Sequence, residues 1–332
     1  MSNNAKTNEV FAPKPNKGES WDVIIIGSGP SGLTAGIYTS RGAASTLIFG
    51  GEKWGGQLML TTEVDNYPGN PGIQGPDLMA KMKEHSTLFG AEFLQKNVTS
   101  INFNRDQVVI NSDAEKYTAK RVIIATGADT RWLGVPGETE LIGRGVSSCA
   151  PCDAPFFKGK EVAVVGGGDS AMEEALVLTK YASKVTILHR KDTFRASQAM
   201  QKKVFDKQKS GQIEILWNTE ILKFVGDQKL KSVVLKNSKD GSERDFEVDG
   251  VFVAIGHIPS TDLFKGKVDL DEKGYVKKVA SEKYHMATSH ENIFVAGDVH
   301  DIHYKQAVTA AGFGCMAAMD ALKSLDKSGP VW

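Results

Sequence analysis

Three cysteines among 332 residues cannot staple a chain of this size, and such scarcity fits a reducing compartment, where structural disulfides are rare. The cytosol is the expected location. Net charge is missing too, since 40 Lys and Arg stand against 40 Asp and Glu. Nothing therefore draws the chain toward phosphate backbones or anionic lipid over a distance, and nucleic acid is not an expected partner. Long hydrophobic runs are absent as well: Val23–Ile26 and Val162–Val165 are strand-sized, against the ~20 residues of a spanning helix. No membrane segment is expected. Residues 1–20 are rich in Asn, Lys and Pro, with acids at Glu9 and Glu19 and neither an apolar run nor an arginine-rich pattern. They read as a tail, disordered or loosely docked, rather than as an organelle signal.

What remains is too long for one ordinary α/β domain and suits two. Asp22–Ile26 is a short β-branched run of the kind buried in a parallel sheet. It feeds into Gly27, Ser28, Gly29, Pro30, Ser31 and Gly32, and a helical stretch follows. Glycine is required at such positions for a tight turn, for backbone approach to a pyrophosphate and for close helix packing, and the helix N-terminus then faces the phosphates. Taken alone this pattern is weak evidence; the strand before it and the helix after it strengthen it. A second copy occurs at Glu161–Val165, followed by Gly166, Gly167, Gly168, Asp169, Ser170 and Ala171, with a helix expected over Met172–Lys180. The chain thus offers two dinucleotide sites in an α/β, Rossmann-like arrangement.

In the second unit the next strand, Val185–Leu188, ends in His189, Arg190 and Lys191, with Arg195 a turn later. A site selective for NAD would usually carry an acid there, whereas cations suit the 2′-phosphate of NADPH. In the first unit the corresponding strand, Thr46–Phe49, runs into a glycine-rich loop containing Glu52, Gly55, Gly56 and Gln57, which suits a larger cofactor. Glu52 sits later than the usual ribose-binding acid, and its contact with ribose is left open. Val122–Gly127 and Val251–Gly256 read as equivalent closing strands. Asn292–Asp298 reads as one more strand, followed by a helix from about Tyr304 to Leu322. Coming after the second unit has closed, this segment returns most simply to the first, making the second an insertion. The expected domains are 21–131 with 260–332, and 132–259, with crossings near Asp129–Leu133 and His257–Asp262.

The chemistry lies in Cys149, Ala150, Pro151, Cys152 and Asp153. Two sulfurs at this spacing close a small disulfide, and a helix start lowers thiol pKa so that a thiolate is available for exchange. A zinc site would need about four ligands, and the remaining cysteine, Cys315, lies far along the chain in a small-residue helix that suggests packing. No metal is expected.

These stretches together resemble the low-molecular-weight thioredoxin reductases from Trp21 almost to the C-terminus. The resemblance runs through Gly27–Gly32, Gly55–Gln57, Val64–Gly69, Ala125–Gly127, Cys149–Asp153, Gly166–Ala171, His189–Arg195 and Gly297–Val299 to Gln306 and Ala307. It implies FAD in the first domain, NADPH in the second, thioredoxin as disulfide substrate, and a homodimer. For FAD it implicates Gly27 to Gly32, Glu52, Gly56, Gln57, Leu58, Asn66, Ala125, Thr126, Gly127, Gly297, Asp298, Lys305, Gln306 and Ala307. For NADPH it implicates Gly166, Gly168, Asp169, Ser170, Ala171, His189, Arg190, Lys191, Arg195, Ile255 and Gly256. It further implies that Cys152 receives electrons beside the flavin, that Cys149 attacks thioredoxin, and that Asp298 meets the ribityl chain. The helix beginning near Tyr304 would aim its positive end at the flavin. Asp153 is implied as the proton donor and acceptor, with a helix cap as its plainer role. Because the redox pair and the NADPH motif share the inserted domain, that domain is expected to swivel on its two crossings.

Three positions depart from the family's usual pattern. Lys191 and Lys305 stand where arginine is common, and Ala154 stands where glycine usually follows the Cys-Asp step. Lys191 keeps the charge but loses a bidentate fork, and Ala154 narrows the backbone choices beside the redox pair. Two other readings stay open: a reductase of a different protein or low-molecular-weight disulfide, and a flavin-binding regulator whose cysteine pair only senses redox state.

Overall fold

The computed structural model describes residues 13–61, 63–104, 107–279 and 282–326. The expected N-terminal tail falls outside them through residue 12. Of its remainder, Asn16–Glu19 forms a turn, Lys14 pairs with Glu92 at 2.5 Å and Ser20 bonds Thr118 at 2.8 Å. The chain divides into two compact units, one built from the segments before Thr130 and after His257, the other from Thr130–His257.

In the first unit Trp21–Ile26 lies at the centre of a parallel sheet, between Thr46–Phe49 and Glu115–Ile124, with Glu92–Leu94 beyond Thr46–Phe49. Val23, Ile24 and Ile25 are fully buried, which is why this strand reads as a continuous apolar run rather than an alternating one. Val23 and Ile25 pack with Leu33, Ala35, Met79 and Ala317 on one face. Ile24 and Ile26 pack with Val108, Ile110, Phe264 and Val299 on the other. Glu115–Ile124 is long enough to serve two partners: its first half pairs antiparallel with Gln107–Ser112, and its last residues pair parallel with Ile293–Val295. The C-terminal segment therefore does return to the first sheet.

The helix after it spans Ala307–Leu325, three residues later at each end than the sequence pattern gives. The cause is local. Asp301 accepts the backbone N–H groups of His303, Tyr304 and Lys305 at 2.9, 3.0 and 2.9 Å, a side-chain-to-backbone arrangement that competes with helix. The helix then starts at a capping box between Gln306 and Thr309.

The second unit repeats the plan with a parallel sheet ordered Val146–Ser147, Gly250–Val253, Glu161–Val165, Lys184–His189, Ile213–Trp217. The helix Asp169–Leu178 buries Ala171, Met172, Ala175 and Leu178 against it. An antiparallel sheet of Thr219–Gly226, Leu230–Asn237 and Glu243–Glu247 follows. The chain crosses between units through Ala128–Thr130 and His257–Pro259, which pair with each other.

The tightest helix contact in the first unit is that of Ala307–Leu325 on Pro30–Arg41. A Cβ on Gly314 would stand 2.1 Å from the carbonyl oxygen of Ser31, whereas one on Gly312 would meet nothing within 4 Å. Gly314→Ala is expected to lower stability by about 1–3 kcal/mol through overpacking against backbone. Gly312→Ala is expected to raise it by about 0.5–1 kcal/mol through helix propensity. Chemical denaturation of the two variants checks both signs; equal effects would contradict the packing described.

Candidate active site

The first glycine turn is built by close approach. Gly27 has φ +115°, and a Cβ there would stand 2.2 Å from the Ala125 carbonyl oxygen, while one on Gly32 would stand 2.0 Å from the Gly27 oxygen. Gly29 differs, because a Cβ there meets nothing within 4 Å. That open space lies over the start of the helix Pro30–Arg41, whose cap residue Gly29 supplies no side-chain bond to the first N–H groups. Uncapped N–H groups facing open space form an anion cradle.

Some of the other expected residues of this unit are tied to the turn, and the rest are held by contacts of their own. Ser28 donates to the Gly50 carbonyl at 2.8 Å and accepts from Gly55 N–H at 2.9 Å, tying the loop after the second strand to the turn. Gly56 lies against Gly29, its Cβ position 3.6 Å from the Gly29 Cα. Gln57 donates to the Ala128 carbonyl, Thr126 to that of Ser260 at 2.7 Å, and Leu58 packs on the core beside them. Glu52 sits in the same loop with an exposed side chain; its backbone N–H bonds Asn97 at 3.1 Å. Gly297, at φ +79°, lies over Ser31. Asn66 donates to Gln306 at 3.2 Å, and Ala307 opens the C-terminal helix. Lys305 takes a left-handed backbone at φ +48°, with its ammonium over the Tyr275 ring at 5.5 Å.

Asp298 is the electrostatic centre of this group. Its Oδ1 is buried, and no hydrogen bond reaches it. Burial first, and then the Asp301 charge, push its pKa up to about 6, with Lys305 pulling the other way. A buried acceptor without a donor is costly unless a ligand supplies one. An anion cradle, an opening over Gly29 and an orphaned acceptor together fit a dinucleotide carrying a hydroxylated chain, as FAD does.

The second turn has the same construction. Gly166 (φ +152°) would place a Cβ 2.5 Å from the Ala254 oxygen, and Gly168, the uncapped N-cap of Asp169–Leu178, opens onto space. Asp169 is not free for a ligand in the same way, since its carboxylate accepts Ser197 N–H at 2.8 Å and is thereby held below the ordinary range. Ser170 is exposed and Ala171 is buried beneath the turn. The backbone N–H groups of Arg195 and Ala196 bond the Gly167 carbonyl at 2.7 and 3.1 Å, which brings the basic loop to the turn. Arg190, Lys191 and Arg195 are exposed there. His189 parts from them: it is 6% exposed, packs on Phe194 and Trp217, and lies 2.9 Å by Nε2 from the Thr193 carbonyl. Burial, with the Arg190 and Arg195 charges behind it, lowers its pKa, so it supports the glycine turn as a neutral ring and three cations remain. Gly256, at φ +109°, opens onto space at the end of the closing strand, and Ile255 beside it is half-buried.

Cys149 and Cys152 are joined by a disulfide, Sγ–Sγ 2.06 Å and Cα–Cα 5.3 Å, both half-buried. Cys149 caps the single helical turn Ala150–Asp153, and its carbonyl accepts the N–H groups of Cys152 and Asp153. Behind the turn runs a short relay. Cys149 N–H donates to Ser147 Oγ at 3.1 Å, and Ser147 donates to Asp153 at 2.5 Å. Burial raises the Asp153 pKa, with the Ser147 bond holding it back. Asp153 heads the short turn Ala154–Phe157 without a side-chain cap bond, so its carboxyl serves the relay rather than a helix end. Ala154 sits at φ −53°, ψ −36°, a conformation open to any residue, and the departure from glycine carries no strain.

One acid had no place in the sequence reading. Glu174 reaches from the helix Asp169–Leu178 to accept Ala150 N–H, inside the redox turn. Burial first, then Asp153 and Glu173, push its pKa up to about 8. In the sequence it is one of two adjacent glutamates, and only its register on the helix, set by buried Ala171 and Ala175, turns it inward. Among the described residues no cluster of His, Cys, Asp or Glu could hold a metal ion, and no helix is long and apolar enough to cross a membrane.

Comparison with known proteins agrees with this geometry. Residues 21–314 match the pyridine nucleotide-disulphide oxidoreductase family. The chain is 48% identical over 307 residues to a thioredoxin reductase of Streptomyces clavuligerus, covering 92% of this chain and 94% of that one. It is 46% identical over 302 residues to a bifunctional thioredoxin reductase/thioredoxin of Mycobacterium leprae, covering 90% of this chain and 65% of that protein. The crystal structure of thioredoxin reductase from Streptococcus pyogenes superposes with a TM-score of 0.86 at 38% identity, over 92% of this chain and 98% of that one. With its two glycine cradles and its CxxC disulfide, the chain belongs to the pyridine nucleotide-disulphide oxidoreductase family, among the thioredoxin reductases, whose cofactors are FAD and NADPH.

Proposed function

We propose that the chain reduces the disulfide of thioredoxin with electrons from NADPH, the first unit holding FAD and the second holding NADPH and the redox pair. The observation that carries this reading is the Cys149–Cys152 disulfide, set in a helical turn backed by two half-buried acids on the same unit as an uncapped glycine turn with three exposed cations. When bound, FAD supplies a two-electron relay between the nicotinamide and the disulfide.

The chain's own residues do the rest. The uncapped starts at Gly29 and Gly168 hold the two pyrophosphates, and Asp298 accepts a ribityl hydroxyl. Arg190 and Arg195, with Lys191, hold the 2′-phosphate. Reduction breaks the Cys149–Cys152 bond and leaves a thiol and a thiolate in the helical turn. Cys149 then attacks the thioredoxin disulfide, forming a mixed disulfide that Cys152 resolves. Asp153, raised by burial and tied to Ser147, holds and returns the proton that this exchange moves.

The protein is further read as a homodimer. Tyr38 on one helix and Met316 and Met319 on its neighbour are exposed, and Cys315 links them by contacting Tyr38 and Met319, so the apolar surface is continuous. Light scattering on the purified holoenzyme is expected to give twice the chain mass; the monomer mass would contradict this. A chain poor in cysteine that spends NADPH fits the cytosol, and fractionation that places it elsewhere would overturn that assignment.

Anaerobic NADPH titration with thioredoxin present or absent tests the main reading. Cys149→Ser is expected to lose thioredoxin turnover by about a thousandfold or more while its flavin still bleaches with NADPH. Turnover that survives in this variant, or a flavin that NADPH leaves yellow, would exclude the proposal. Replacing Arg190 and Arg195 together with Ala is expected to raise the KM for NADPH roughly tenfold to a hundredfold, through lost charge-assisted bonds. The KM for NADH should stay nearly unchanged. Equal effects on both nucleotides would place the 2′-phosphate elsewhere.

A further inference from the structure

The redox turn is held by an acid from outside itself. A one-turn helix begun by Cys149 has no side-chain cap of its own, and its first helical N–H, that of Ala150, is satisfied by Glu174 from the helix Asp169–Leu178. The remaining acid of the turn, Asp153, is already bonded to Ser147. Two half-buried carboxyls thus attach to the same short turn, one through Ser147 and one through the Ala150 N–H. The charges that bear on Glu174 are those of Asp153, from the redox turn, and of Glu173, its neighbour on the helix. No lysine or arginine ion pair to Glu174 occurs among the described residues.

We propose that Glu174 is a positioning residue for the redox pair: it holds the Ala150 N–H between the two cysteines, and its charge opposes the thiolate that reduction leaves there. This deepens the reductase reading and rests on it. The two effects act in opposite directions. Accepting the N–H fixes the turn so that both sulfurs stay within bonding reach. A carboxylate in the same place disfavours a second negative charge nearby, so thiolate is favoured while Glu174 is protonated and disfavoured once it ionises. The burial that raises Glu174 to about 8 brings this change into the range where the thiols themselves titrate. The dithiol is thereby kept from ionising fully in mildly alkaline solution.

The test uses the holoenzyme reduced by NADPH, with the rate of alkylation by iodoacetamide followed as a function of pH. Glu174→Gln keeps an oxygen acceptor for Ala150 and removes the charge. Its alkylation profile is expected to move to lower pH by about half a unit or more, with faster alkylation near pH 8.5. Glu174→Ala removes the acceptor as well, and is expected to lower kcat with thioredoxin where the glutamine variant does not. If the glutamine profile superimposes on that of the wild type, Glu174 only caps the turn and the proposal is wrong. Should the glutamine variant fail to retain flavin, infrared absorption of the wild type decides. A protonated buried carboxyl titrating around pH 8 supports the assignment, and the lack of such a band in neutral solution overturns it. Alkylation requires no thioredoxin, so failure here and failure of the thioredoxin reading are separable.

Discussion

A covalent bond between Cys149 and Cys152 has to open and close while the backbone around it stays in place. Everything near the redox turn serves that constraint. The Cys149 carbonyl gathers the N–H groups of Cys152 and Asp153, Ser147 bridges Cys149 N–H to the Asp153 carboxyl, and Glu174 takes the Ala150 N–H. With its N–H groups already committed, the turn has little to rearrange when two neutral sulfurs become thiol and thiolate. The larger architecture extends the same economy. In the first glycine turn side chains are excluded at Gly27 and Gly32 by backbone contact, whereas a Cβ on Gly29 would meet nothing within 4 Å.

Much of this was legible in the residues because the constraints are local. A glycine that must take a left-handed backbone, or pass within contact of a carbonyl, leaves a mark in the sequence, and both glycine turns were found where their strands and helices put them. The cysteine spacing was legible for a similar reason, since a one-turn disulfide needs only the residues that form it. The return of Ile293–Val295 to the first sheet followed from chain order.

What escaped depended on burial, which the sequence does not state. His189 reads as one of four consecutive-looking cations, yet its ring is packed between Phe194 and Trp217 and lies under Gly167. Only the fold shows that burial lowers its pKa and sets it apart from the exposed cations. Glu173 and Glu174 are indistinguishable as letters; helical register exposes the first and turns the second into the redox turn. The C-terminal helix starts late because Asp301 spends its carboxylate on three successive N–H groups, a competition that apolar periodicity does not register. Asp298 was singled out by resemblance, but its orphaned oxygen and its raised pKa are consequences of the surrounding burial.

In the proposed reaction the bond between Cys149 and Cys152 exchanges electrons with a bound flavin. A reductive titration of the purified holoenzyme with dithionite, followed by flavin absorbance and thiol count, tests this most directly. The account requires the enzyme to take up twice the electrons that its flavin alone can hold and to expose two new thiols as it does so. Uptake that ends when the flavin is reduced, with the disulfide intact, would contradict it.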